Sequence, residues 1–216
     1  MRNAIVLLSG GIDSATALYW TKERAISITS MNIEYAQASY QETAAARRIA
    51  EAAGVKEHVT VPLPFFKDIQ TRYHPASNSK PSTVSSAYVP ARNLIFYGVA
   101  TAYAETLAAD TIVFGSNADD AQVLPDATTE FTRRIEDIIS TGTRIGVNGT
   151  PTKIVNPLIS LSKTEVLRLA VNLKVPLELT WSCYEDVELP CGQCRGCRMR
   201  IDAFAKLKIS DPLKYA

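Results

Sequence analysis

The residues with most chemistry to offer sit near the two ends of the chain. Ala4-Ile5-Val6-Leu7-Leu8 is a short apolar run, followed by Ser9-Gly10-Gly11-Ile12-Asp13-Ser14 and a helix-like segment over 13–22. A buried strand, a glycine turn and a helix start, in that order, aim free backbone N–H groups and the positive end of a helix dipole at one spot. The ligand such a spot selects is a phosphate. Its candidate contacts run through Leu8, Ser9, Gly10, Gly11, Ile12, Asp13, Ser14 and Ala15, with Ser9 and Ser14 adding hydroxyl donors. At the other end, Cys183, Cys191, Cys194 and Cys197 are the four cysteines of the chain and fall within fifteen residues. A disulfide framework would spread them through a secreted chain, whereas a local cluster suggests metal. Four thiolates suit a closed tetrahedral Zn²⁺ site, and an Fe–S cluster also takes four cysteines. Neither leaves an open coordination position, so the metal is expected to be structural.

The first loop lacks the lysine of GxxxxGK[ST], and it is not GxGxxG. Ser9-Gly10-Gly11-Ile12-Asp13-Ser14 resembles instead the loop of the ATP pyrophosphatase, or PP-loop, enzymes. That resemblance implies cleavage of ATP between the α and β phosphates, with the AMP half activating a carbonyl or carboxyl.

The elements between these ends must position them. An isoleucine-rich strand is expected over 25–33 and a helix over 40–53. That helix carries Ala44, Ala45, Ile49 and Ala53 on one stripe and turns Glu42, Arg47, Arg48 and Glu51 outward, and Gly54 ends it. A third strand covers 58–61. Residues 63–86, with Pro64, Pro75 and Pro81, read as a surface insertion of the kind that serves as a lid. A helix over 94–107 leads to a strand over 111–114 that stops at Gly115-Ser116-Asn117. Residues 119–126 read as a polar loop, 130–139 as helix and 154–158 as extended. Ser162-Lys163-Thr164-Glu165 is a capping box that starts a helix to about Leu173. The alternation predicts an α/β, Rossmann-like parallel sheet flanked by helices, with right-handed crossovers. Gly10-Gly11, Tyr35 to Gln37 and Gly115 to Asn117 then share one rim, at the carboxyl ends of the strands. One domain over 1–216 is expected, with 180–200 as a zinc-binding subregion.

Composition narrows the partners. The chain has 216 residues, 46% hydrophobic and 21% charged, with a formal net charge of +1. That balance gives no signature for nucleic acid, membrane or acidic partners. No apolar run nears the ~18 residues of a membrane span, and the first strand begins too soon for a signal peptide. A cytoplasmic location is expected. Arg195, Arg198 and Arg200, beside the cysteines, read as a solvated face.

Four segments together resemble one family. They are Ser9 to Ser14, YxQxxxQE (Tyr35, Gln37, Gln41, Glu42), VPxRN (Val89, Pro90, Arg92, Asn93) and Thr180-Trp181-Ser182-Cys183-Tyr184 with the remaining cysteines. Over nearly the whole chain they resemble the QueC family, the 7-cyano-7-deazaguanine synthases. The resemblance implies an adenine nucleotide alpha hydrolase-like fold, structural zinc on Cys183, Cys191, Cys194 and Cys197, ATP with Mg²⁺, and a homodimer. It implies an ATP-dependent ligase that adenylates 7-carboxy-7-deazaguanine, lets ammonia attack to give an amide, and dehydrates the amide to the nitrile after a second activation. The deazapurine made is of the queuosine or archaeosine type. On that reading Ser9, Asp13, Ser14, Arg92 and Lys163 are catalytic and Gly115 joins the ATP loop. Tyr35, Gln37, Arg92, Asn93, Asp120, Pro125 and Asp126 bind the deazaguanine, and Asp13, Asp119 or Asp120 holds Mg²⁺.

Three departures touch the acceptor end. The family's YPDCR-like stretch is Leu124-Pro125-Asp126-Ala127-Thr128 here, its VPGRN glycine is Ala91, and Ser39 stands for a histidine. They leave open a ligase that stops at the amide or joins the activated carboxylate to another amine, on a protein for example. A PP-loop tRNA-modifying enzyme and a zinc-stabilised binding module are further alternatives.

Overall fold

The computed structural model describes residues 1–35, 40–72 and 88–216, apart from the side chains of Gln70 and Thr71. Gln37, Ser39 and most of the 63–86 segment read as a lid lie outside the described residues. The apolar run forms strand β1 (Asn3–Leu7), and helix α1 (Ile12–Lys22) follows after the glycine turn. Then come β2 (Ser27–Glu34), α2 (Tyr40–Ala52), β3 (Glu57–Pro62), α3 (Phe66–Arg72), α4 (Arg92–Thr106) and β4 (Thr111–Val113). The remainder is α5 (Ala118–Ala121), α6 (Thr129–Gly142), α7 (Arg144–Val147), β5 (Lys153–Val155), α8 (Lys163–Asn172) and α9 (Arg195–Leu207).

All strand pairs are parallel, in the order β3-β2-β1-β4-β5. β1 is central and buried on both faces, which is why it reads as an unbroken apolar run. Its alternate side chains enter two cores. Ala4, Val6 and Leu8 pack with α1, α2, α8 and α9, through Leu18, Ile49, Leu167 and Phe204. Ile5 and Leu7 pack on the other face with Met31, Ile33, Ala100, Ala104 and Ile112. The fold is the Rossmann-like sheet expected. Among the described residues no helix is long and apolar enough to cross a membrane.

Two readings are corrected. The polar loop over 119–126 contains α5 and a 3-10 turn, Pro125–Ala127. Asn117 caps α5: its Oδ1 accepts from the N–H groups of Asp119 at 2.9 Å and Asp120 at 3.0 Å, while Asp120 accepts from the Asn117 N–H. The basic face near the cysteines is also different. Arg195 and Arg198 are exposed, but Arg200 is 1% exposed, on the inner side of α9. Its guanidinium donates to both oxygens of Asp211, at 2.7 and 2.9 Å, and to the carbonyls of Leu177 and Thr180. A buried arginine is tolerated only when its donors are matched in this way. It fastens α9 to the segment that enters the cysteine cluster.

Candidate active site

The sheet order reverses at β1. The chain runs outward to β2 and β3, then returns to β4 on the other side, so a crevice opens beyond the carboxyl ends of β1 and β4. The glycine loop and the Gly115 turn both lie there.

The loop is shaped by close backbone packing. Gly10 has φ +91°, and an added Cβ would collide with the Glu42 carbonyl oxygen and stand 2.9 Å from the Ala46 nitrogen. A side chain at Gly115 would press on the Asp13 carbonyl at 3.1 Å. The hydroxyl of Ser14 accepts from the Ser9 N–H at 3.1 Å and lies 3.1 Å from the Ser9 hydroxyl. The Trp181 N–H donates to the Gly10 carbonyl at 2.9 Å, so the segment entering the cysteine cluster props the loop from behind.

Asp13 does not cap α1; Gly11 occupies that position, without a side-chain cap. Its carboxylate receives the Lys163 ammonium at 2.6 and 2.7 Å and the Asn117 amide at 3.2 Å. The Lys163 N–H donates to Asp119 at 3.0 Å. Starts of α1, α5 and α8 are thereby tied together beside the loop.

A cavity of about 250 Å³ opens here. It brings Leu8, Ser9, Asp13, Ser14, Tyr35, Arg92, Asn93, Gly115 and Asp120 to one space; Gly10 and Gly11 are not among the residues that line it. Ile12 and Ala15 lie behind the loop, in the core. Lys163 reaches the cavity through Asp13. Asp126 reaches it through Asn93: the Asn93 N–H donates to the Asp126 carboxylate at 3.2 Å and the Asn93 amide to the Asp126 carbonyl at 3.0 Å. Pro125 begins the 3-10 turn that sets this contact. Arg92 donates to the Tyr35 hydroxyl at 3.2 Å. Ala91, at the family's glycine position, has φ +54°, the left-handed region that glycine enters without strain. Thr128, where the family has arginine, accepts from the Phe131 N–H and caps α6.

Among the wall residues that the sequence reading did not assign to the site are Asn32, Phe96 and Glu42. Asn32 donates to the Leu8 carbonyl at 3.1 Å, while its buried Oδ1 has no protein partner. Phe96 was not singled out; it packs edge-on to Tyr35, with ring centroids 5.3 Å apart. Glu42 was read as facing outward, but its side chain lines the cavity. Helical periodicity alone cannot separate a solvent face from a face turned to a polar cavity. Its place in YxQxxxQE was the available signal.

Burial dominates the titration of this wall. It raises the Glu42 carboxyl to about 7, against the opposing pull of Arg92. The folded state therefore holds this proton more tightly than the unfolded chain, and ionising Glu42 costs stability as pH rises from the ordinary value of 4.5 through 7. Burial and then the Asp13 charge raise Asp120, while the Asn117 N–H, Lys163 and Arg92 pull it down. Burial also raises Tyr35.

The four cysteine sulfurs lie within 4.8 Å of one another. Backbone N–H groups of Cys194 and Cys197 point at the sulfurs of Cys191 and Cys194, at 3.3 and 3.4 Å. Cys183 and Cys197 are buried. Four thiolates this close repel one another unless a cation sits among them, so the donor set fits a metal ion.

Comparison with known proteins agrees with this geometry. The family described as Queuosine biosynthesis protein QueC matches residues 3–208. The chain belongs to the QueC family. A QueC-family relative, the 7-cyano-7-deazaguanine synthase of Thermosynechococcus vestitus, is 40% identical over 232 residues, covering 100% of this chain and 96% of the relative. The enzyme of the same name from Nostoc sp. strain PCC 7120 is 37% identical, covering 99% and 97%. Among solved structures, the NMN synthetase of Francisella tularensis shares the fold at 18% identity and a TM-score of 0.53, covering 97% of this chain and 78% of that one. The U34-tRNA thiolase NcsA of Methanococcus maripaludis, with its [4Fe-4S] cluster, matches at 18% identity and a TM-score of 0.50, covering 96% and 65%.

Gly10 carries a testable consequence. Gly10→Ala adds left-handed strain to a backbone collision, together at least ~2 kcal/mol. Denaturant titration should show that loss, and ATP-dependent pyrophosphate release should fall by ~100-fold or more.

Proposed function

We propose that this QueC-family chain converts 7-carboxy-7-deazaguanine to 7-cyano-7-deazaguanine with ATP and ammonia. The observation that carries the reading is one cavity walled both by Ser9, Asp13 and Ser14 of the first loop and by Arg92, Asn93 and Tyr35. It joins a phosphate-binding device to a polar and aromatic wall of the kind a planar, carboxylate-bearing base requires. The 37–40% identity to proteins of that name supports it over the amide-forming, tRNA-modifying and binding-module alternatives.

The chemistry follows from a poor electrophile. A carboxylate resists attack because its leaving group would be oxide. Attack by the substrate carboxylate on the α-phosphorus of ATP forms the acyl adenylate and releases pyrophosphate. The loop N–H groups and the hydroxyls of Ser9 and Ser14 hold the phosphates as charge develops. Arg92 is the cavity-lining cation that offsets that charge, while Lys163 holds Asp13 in place. Ammonia then displaces AMP to leave the amide. In the second cycle the amide oxygen is adenylated and leaves with AMP, giving the nitrile. Catalysis on this reading is positioning and electrostatics, with no side-chain nucleophile. Asn93 and Tyr35 orient the base, and Asp126 fixes Asn93. Asp13 and Asp120, which line the cavity, would hold Mg²⁺, and the ion would supply charge to neutralise the phosphates.

We propose zinc for the cysteine cluster. Around one Zn²⁺ with ~2.3 Å bonds, tetrahedral sulfurs stand about 3.8 Å apart. The Cys191–Cys197 and Cys183–Cys194 pairs are each 4.0 Å apart. A [4Fe–4S] cluster puts each thiolate on a different iron and a [2Fe–2S] cluster holds them as two pairs on two irons, and either spreads the full set of sulfurs wider than the 4.8 Å they span here. The 216 residues then work as one domain with 180–200 as its metal-holding segment, in a homodimer.

Two measurements test this. Incubation with ATP, 7-carboxy-7-deazaguanine and ammonium, read by mass spectrometry, should end in the nitrile with about two AMP per product, one for each activation. Accumulated amide, or ADP in place of AMP, overturns it. Metal analysis should find about one zinc per chain, and chelation should lower Tm by ~5 °C or more. Several irons per chain would contradict the zinc assignment.

A further inference from the structure

We propose that the side-chain oxygen of Asn32 accepts a hydrogen bond from the 6-amino group of adenine and so sets the nucleotide this enzyme uses. The inference deepens the proposed reaction by naming the group that reads its ATP, and it rests on ATP being the nucleotide held in the cavity.

Position comes first. Asn32 lies near the end of β2, where it pairs with Thr60 of β3. Its neighbours Met31 and Ile33 belong to the core that holds Ala100 and Ala104 of α4. Alternation along a strand turns Asn32 to the opposite face, the one on which Leu8 packs. The residue is 2% exposed, yet it lines the same cavity as Ser9 and Ser14.

The amide is half used. Its Nδ2 donates to the Leu8 carbonyl at 3.1 Å, which fixes the orientation of the group, and its buried Oδ1 has no partner. The other described residues with a buried polar side-chain atom in that state are Thr43, His58 and Asp126, and none of them lines this cavity. An apolar side chain of the same shape would avoid burying an unpaired acceptor. A donor brought by the ligand accounts for the oxygen.

The chemistry of the ligands selects that donor. Phosphates carry none. The deazaguanine acid is assigned to the wall made by Arg92, Asn93 and Tyr35, and ammonia must reach the acyl carbon. Asn32 is tied instead to Leu8, which leads straight into the phosphate loop, and an adenosine hangs from the α-phosphate held there. Leu7, Met31, Ile33, Phe96 and Phe114 give the cavity the apolar surface that a purine ring can cover. The donor of the adenine ring is its 6-amino group. An asparagine whose nitrogen is already spent offers only an acceptor. It therefore matches adenine, and it meets a 6-oxo purine acceptor against acceptor.

The test compares ATP with purine riboside 5′-triphosphate, which lacks only the 6-amino group. Calorimetry with Mg²⁺ should give the wild-type enzyme a Kd ~10–100-fold weaker for the analogue. Kd values within about twofold of each other overturn the proposal. In Asn32→Leu the two nucleotides should bind within about threefold of each other, because the acceptor is gone. Asn32→Ser, a smaller side chain that fits the same space, should show the same levelling. A merely structural role would weaken both nucleotides alike, so variants that keep the wild-type ratio overturn the proposal. So do variants that keep it while KM rises for the acid or for ammonium. Binding needs no turnover, which separates the two readings. An enzyme that discriminates the nucleotides through Asn32 but makes no nitrile contradicts the reaction and leaves this inference standing. One that makes nitrile and binds both nucleotides equally contradicts the inference alone.

Discussion

Everything at the site depends on a backbone packed too closely for side chains. Gly10 lies against the Glu42 carbonyl and the Ala46 nitrogen of α2, and Gly115 lies against Asp13 and Ser14 of α1. These contacts hold the end of β1, the start of α1 and the end of β4 at one point of the crevice, where the order of the sheet reverses. Hydrogen bonds then fix the shape. Ser14 closes back on Ser9, Trp181 holds the Gly10 carbonyl, and Lys163 grips Asp13. The cysteine segment is part of that support. Trp181 also donates to the Cys183 carbonyl at 2.9 Å, so one residue joins the cysteine cluster to the glycine loop. Arg200 locks the same segment to α9 from the far side. A metal held by these cysteines would be coupled to the glycine loop through Trp181.

Much of this was legible in the sequence, for physical reasons. β1, buried on both faces, has to be an unbroken apolar run, and the glycine turn after it has few other uses. Four clustered thiols have few stable arrangements apart from a metal site. What was hidden involves polar groups that face inward. Arg200 sits at a core position of α9, where a hydrophobic stripe would otherwise announce the helix, and its partner Asp211 lies beyond the helix end. Glu42 follows the pattern of a solvent-facing residue because a polar cavity and water demand the same side chains. The Asn117–Asp120 cap was visible as a spacing, but an aspartate-rich stretch reads equally well as a loop. Each of these identities is decided by tertiary partners that local patterning does not contain.

The electrostatics of the cavity explain why so many charged groups are tied to one another. On the proposed reaction, two anionic substrates would meet in a space already lined by Asp13, Asp120 and Glu42. Lys163 neutralises the first. Burial raises the pKa of the other two, and the positive charge of Arg92 opposes that rise. The departures at 124–128 are absorbed locally: Leu124 joins the cavity wall, Ala127 is buried and Thr128 caps α6. Asp126 holds Asn93 in the cavity wall.

The central claim is that the carboxylate itself is adenylated. The direct measurement uses 7-carboxy-7-deazaguanine labelled with ¹⁸O in both carboxylate oxygens. Each activation should pass one label into AMP, so every AMP carries ¹⁸O and the nitrile carries none. Label appearing in inorganic phosphate, with unlabelled AMP or ADP, would contradict the account.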